Sequence, residues 1–146
     1  MIVMFFSGSD PFARIVQLVT RSKINHVGIA IEGVYYEATR KGVVHQVLDA
    51  PVPLYTRQLP DADLVQRFLN RQVGKQYGVL ELVSCWLSAI LGIVFYEKDT
   101  WICSSLVAAA LQEGGVYCPK DPRLMTPQDV WVWLQDPVPM VPSISP

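Results

Sequence analysis

The sequence predicts an α+β fold, an antiparallel sheet packed against helices, in a chain of 146 residues that is about one domain long. Three observations carry this. The runs His26–Ile31, Val34–Thr39 and Val43–Leu48 alternate with period two and are joined by Glu32-Gly33 and Arg40-Lys41-Gly42, the pattern of an antiparallel meander. Segments on either side carry apolar residues at helical spacing. The composition, 51% hydrophobic and 17% charged against a usual charged share of about 25%, supplies a core and excludes intrinsic disorder.

The elements follow in order. Ile2–Phe6 is a continuous apolar run stopped by Ser7-Gly8-Ser9-Asp10, and reads as a buried strand. Asp10 can cap the helix that follows, Pro11 suits its first turn, and Phe12, Ile15, Val16 and Val19 form its stripe. After the meander comes a loop with Pro51, Pro53 and Pro60. Asp61 or Asp63 then starts a helix with the stripe Leu64, Val65, Phe68 and Leu69, ended by Gly74. An apolar segment covers 79–96, and a helix is expected from about Ile102 to Gln112, with Gly114-Gly115 as its stop. Thr126-Pro127-Gln128-Asp129 is a helix start leading into Val130, Trp131, Trp133 and Leu134. Pro137, Pro139, Pro142 and Pro146 predict an extended tail.

Twelve basic and thirteen acidic residues leave a net charge of −1, which gives no electrostatic reason to hold a polyanion, so no nucleic acid partner is expected. Cys85, Cys103 and Cys118 are odd in number with no CxxC spacing, so neither a disulfide framework nor a metal site is indicated, and no cofactor is expected. The apolar start lacks a preceding basic residue and is too short for a signal peptide. The chain is therefore expected to stay in the cytoplasm or to leave without a Sec signal.

Cys103 falls at the predicted start of a helix, where unpaired N–H groups and the positive end of the dipole favour a thiolate. It also shares one helical stripe with Leu106, Val107, Ala110 and Leu111, so a plain core position fits the same pattern. His26 is the base that would activate such a thiol. With Glu32-Gly33 as a two-residue loop, Ile31 pairs with Val34, Gly28 with Glu37 and His26 with Thr39. That puts His26, Gly28, Glu37 and Thr39 on one face, with Glu37 diagonally across from His26 at about 7–8 Å. A three-residue second turn would bring His45 opposite Glu37, a second candidate to orient the imidazole. A solvated His beside a solvated Glu is the competing reading of the pairing.

These residues resemble the circularly permuted branch of the NlpC-type papain-fold thiol hydrolases, relatives of the lecithin-retinol acyltransferase-like proteins. The matching segments, in the permuted order, are Ser22-Lys23-Ile24-Asn25-His26-Val27-Gly28-Ile29, Tyr36-Glu37-Ala38, Gly74-Lys75-Gln76-Tyr77 and Cys103-Ser104-Ser105-Leu106-Val107. The likeness takes in about residues 1–135 and implies a permuted papain-like catalytic domain over 1–136, followed by the tail 137–146. It implies that Cys103 is the nucleophile, His26 the general base, Glu37 the orienting third member, and Tyr77 a residue that places substrate or supports the oxyanion. The implied reaction is hydrolysis of an amide through a thioester, on peptidoglycan stem peptides, small amides or acylated lipids. A wall substrate would require delivery by a virion, by lysis or by dedicated secretion. Acyl transfer to another acceptor, and a binding or virion structural module on the same fold, are the alternatives.

One departure from that pattern is the apolar insert between Tyr77 and Cys103. A helix over 79–96 would be about 27 Å long against a hydrocarbon core of about 30 Å, so a membrane span competes with the enzyme reading. Yet Glu81, Ser84, Cys85, Ser88, Ala89 and Gly92 share one face, opposite Val79, Leu82, Val83, Trp86, Leu87, Ile90 and Val94. Such a helix is expected to pack against the body, a lipid surface or a second subunit, covering the cleft, gripping an apolar substrate or meeting a partner.

Overall fold

The computed structural model describes residues 1–47, 53, 55–59, 62–92, 94 and 97–135. Its first strand, β1 (Ile2–Phe6), leads into α1 (Pro11–Thr20), whose first turn is capped where Asp10 Oδ1 accepts the Ala13 N–H at 3.2 Å. The meander follows as β2 (His26–Ile31), β3 (Val34–Thr39) and β4 (Gly42–Val47). A short strand β5 (Tyr55–Gln58) precedes α2 (Asp63–Gln72). Next come β6 (Gln76–Tyr77), α3 (Val79–Leu91), β7 (Thr100–Trp101), α4 (Cys103–Glu113), a 3-10 turn (Pro122–Leu124) and α5 (Pro127–Trp133). Leu48, Pro51, Pro60, Asp61, Tyr96 and the tail 137–146 lie outside the described residues.

The architecture is α+β. Five of the described strands form one antiparallel sheet in the order β4-β3-β2-β1-β5. One face of this sheet, carrying Val3, Phe5, Val27, Ile29, Ile31, Tyr36, Ala38 and Val43, is buried with the apolar side of α4, including Leu106, Val107, Ala110 and Leu111. On β1 the alternate residues Met4 and Phe6 join Ala30 and Tyr35 in a smaller cluster. Both faces of β1 are thus covered, which is why its sequence is apolar throughout.

The first hairpin has the expected register. Ile31 pairs with Val34, Ala30 with Tyr35 and Ile29 with Tyr36. Glu32 and Gly33 take φ of 49° and 80°, the doubly left-handed geometry of a two-residue turn whose twist matches the strands. The second hairpin differs from expectation. Arg40-Lys41 forms its tip, with Thr39 opposite Gly42, and Gly42 takes a φ of 108° that favours glycine. The one-residue change sets Tyr36, not Glu37, opposite His45.

Other expectations need amendment. The sequence reading missed β5, a short segment carrying Arg57 between prolines that pairs with β1 at the sheet edge. In α1, Val16 is buried but Ile15 is 59% exposed; in α2, Val65 and Leu69 are buried while Leu64 faces water. The helix expected over 79–96 ends at Leu91, followed by Gly92 at φ 68°. Among the described residues, no helix is long and apolar enough to cross a membrane.

Gly28 has a specific steric reason. A Cβ there would collide with the Tyr35 hydroxyl and ring, so glycine lets that ring lie across β2. Gly28→Ala is therefore expected to destabilise the protein by about 1–3 kcal/mol, the usual cost of overpacking. Chemical denaturation read by circular dichroism checks this, and an unchanged midpoint would contradict the close approach.

Candidate active site

The end of the sheet at which β1 and β3 finish and β2 begins carries the predicted site residues. Phe6 pairs with His26 across β1 and β2. His26 and Glu37 leave the same sheet face, and His26 Nε2 lies 2.7 Å from Glu37 Oε2. Their side chains retain 28% and 17% exposure, so the pair is largely withdrawn from water. The Cys103 side chain lines the same cavity and lies near enough to His26 to act on its charge. With Nε2 taken by Glu37, Nδ1 is the nitrogen available to the thiol.

Cys103 opens α4. Its own N–H is one of the first-turn donors that no intrahelical carbonyl satisfies. The approach to this turn is fixed by Ser105 Oγ, which accepts the Ile102 N–H at 3.1 Å and donates to the Ile102 carbonyl at 3.2 Å. Just before it, β7 pairs in parallel with β6, setting Tyr77 beside Trp101, and the Gly78 N–H donates to the Trp101 carbonyl at 3.1 Å. Cys103, His26, Glu37 and Tyr77 all line one cavity of about 410 Å³. The structure thus brings together the four residues that the sequence singled out. It excludes His45, which is exposed on β4 with its ring against Tyr36 at a centroid distance of 5.8 Å.

The electrostatics follow from this geometry. Burial by itself would lower the pKa of His26, but the hydrogen bond and charge of Cys103, with those of Glu37, overcome it and raise the value from 6.5 to about 10. A protonated imidazole is thus paired with the Glu37 carboxylate in the cavity that the Cys103 thiol lines. Because the folded value lies above the unfolded one, the resulting stabilisation is fully present below pH 6.5 and is lost as pH rises toward about 10.

The sequence reading missed several groups that shape the cavity. Asn25, buried beside His26, accepts the Gly8 N–H at 2.9 Å and donates to the Gly8 carbonyl at 3.2 Å, fixing the loop after β1 as one wall. Asp10 and Arg40 line the cavity as well. Tyr35 lies on the same face as Glu37, two residues earlier. Its signal was the mid-strand Gly28, which marks a close approach by a bulky neighbour.

The insert has its polar side inward. Glu81 is 1% exposed and Ser84 is buried, whereas Val79, Leu80, Val83 and Leu91 face solvent. Glu81 Oε2 accepts from Arg123 Nη1 at 3.1 Å, and Arg123 Nη1 also donates to the Thr100 carbonyl at 2.7 Å. The guanidinium sits 4.0 Å from the centre of the Trp101 ring. This pairing ties the start of α3 to the segment entering α4. None of the described α3 residues lines the cavity, so the expectation that the helix covers the cleft is not met by them. Among the described residues, no group of three or more His, Cys, Asp or Glu side chains could hold a metal ion.

Two of the contributions that raise the His26 pKa come from Cys103. The Cys103→Ala variant should therefore lose the imidazole proton at a clearly lower pH than the unaltered protein. Titration of the His26 ring by NMR measures this, and coincident curves would show that the thiol does not act on the imidazole. No protein-family model and no curated protein sequence matches this chain.

Proposed function

We propose that this protein is a cysteine hydrolase of the circularly permuted, NlpC-type papain-like kind, acting on an amide of a peptide or small molecule through a Cys103 acyl-enzyme. The observation that supports this reading most is the His26–Glu37 pair lining one cavity with the Cys103 thiol. The Cys103 thiolate attacks the carbonyl carbon and the displaced electron pair moves to oxygen. The Cys103 N–H at the start of α4 faces that negative charge. Collapse breaks the C–N bond, and His26 gives its proton to the departing amine. Neutral His26 then takes a proton from water, and the resulting hydroxide releases the acid and restores the thiolate. Glu37 orients the imidazole throughout, and Tyr77 lies at the cavity wall, placed to contact the acyl group.

A second reading, lipid-directed hydrolysis or acyl transfer, is favoured by the exposed apolar stripe Val79, Leu80, Val83 and Leu91 on α3. A screen of the protein against Cys103→Ala on muropeptides, small amides and acyl-lipids separates the two by product. Either enzyme reading requires turnover to fall to background in the variant.

The thiols themselves supply a more direct test. Burial pushes the Cys118 thiol above its ordinary range, whereas Cys103 faces an imidazolium. Iodoacetamide at neutral pH should therefore label Cys103 before Cys118 and Cys85, and faster than a model thiol, as read by mass spectrometry. If Cys103 labels no faster than the others, a non-catalytic binding module replaces the hydrolase.

A further inference from the structure

Beneath the His26–Glu37 pair lies a polar group that the scheme above leaves unused. Tyr35 is 2% exposed, yet its hydroxyl has no hydrogen-bond partner. A buried hydroxyl in that condition is a standing cost to the fold, and native structures rarely keep one without a use. Two further features show that the placement is built. Gly28 removes the Cβ that would collide with the Tyr35 ring and hydroxyl. Phe6 packs edge-on against Tyr35, with centroids 6.0 Å apart, and its ring lies 5.9 Å from that of His26. Tyr35 and Glu37 are two residues apart on β3, so their side chains leave the same face. The phenol hydroxyl lies over Gly28, the β2 residue across from Glu37, at the edge of the cavity that Glu37 and His26 line.

The charge balance of the reaction indicates when such a donor is needed. Before attack, the site holds a thiolate, an imidazolium and the Glu37 carboxylate. After acylation, the sulfur is a neutral thioester and His26 has given its proton to the leaving group. Glu37 is then a largely buried anion with no cation left in the dyad, a condition that is costly without further hydrogen bonds.

Resting on the hydrolase reading, we infer that Tyr35 is a positioning residue whose hydroxyl donates to the Glu37 carboxylate in the acyl-enzyme, keeping it aligned while His26 activates water. Burial and the nearby charges of Glu37 and Cys103 raise the Tyr35 pKa, so the phenol stays protonated and serves as a donor. The other ionisable groups lining the cavity are Asp10, Arg40 and Tyr77, together with His26 and Cys103 themselves. Without the Tyr35 donor, the lone carboxylate loses the hydrogen bond that holds it in line, and His26 loses the fixed acceptor that orients it.

The test uses p-nitrophenyl acetate with the full chain. The thiolate forms a C–S bond, the ester C–O bond breaks to release p-nitrophenol, and water later cleaves the thioester to acetate. The burst reports acylation and the steady state reports deacylation. In Tyr35→Phe the burst should be kept, while deacylation falls by about tenfold or more, as part of the roughly 10²–10⁴-fold contributed by general-base assistance. Thermal stability should hold or rise, because the variant removes an unpartnered buried hydroxyl. Unchanged deacylation overturns the role of Tyr35. Equal losses in both steps with a lower melting temperature also overturn it, by showing a purely structural side chain. Absence of a burst at Cys103 in the unaltered protein overturns the hydrolase reading instead.

Discussion

The register of the β2–β3 hairpin is the constraint on which the site depends. Glu32 and Gly33, both at positive φ, close a two-residue turn, and that closure fixes which residues of each strand share a face. Ile29, Ile31, Tyr36 and Ala38 are committed to the core, while His26, Gly28, Tyr35 and Glu37 are gathered on the other side. A slip of one residue would bury the imidazole and carboxylate among aliphatic side chains and turn the core outward. Burial on both faces makes that alternative expensive, so the apolar residues that hold the sheet together also hold the dyad in line.

Desolvation gives this arrangement its chemical character. Phe6 and Tyr35 are buried beside the His26–Glu37 pair, and in such surroundings a charge is tolerated only with its partner in place. The same rule operates away from the cavity. Glu81 is accepted in the interior because Arg123 reaches it, and Arg123 is held in turn by the Thr100 carbonyl and the Trp101 ring. Those contacts and the β6–β7 pairing converge on Thr100 and Trp101, just before Cys103. The nucleophile is thus approached along a segment pinned from several directions, which limits the freedom of the first turn of α4.

Much of this was readable along the chain. Asp10, Thr126 and the Gly114-Gly115 stop marked helix ends correctly, and the period-two alternation gave the first hairpin and the shared face of His26 and Glu37. The second hairpin was misjudged because two- and three-residue turns share the string Arg40-Lys41-Gly42, and the positive φ of Gly42 decides between them. His45 was carried to the wrong face by that single step. The strand β5 gave no alternating signal, because its role is to complete an edge beside β1 rather than to fill the core. Leu64 and Ile15 fit their helical stripes but lie at the margins, where geometry alone does not decide burial.

What the sequence determined by itself is whatever depends on a few neighbouring residues: helix caps, left-handed turn positions, strand alternation and a cysteine at a helix start. These follow from backbone sterics and from unpaired N–H and C=O groups, which act within a turn or two of the chain. The tertiary structure decided which side of α3 faces inward, since Glu81 finds its counter-charge 42 residues away in Arg123. It also decided that Tyr77 stands beside the residues leading to Cys103, and that Tyr35 is buried beside the pair. Desolvation and pairing of charge are set by groups distant in sequence, and only folding assembles their low-dielectric surroundings.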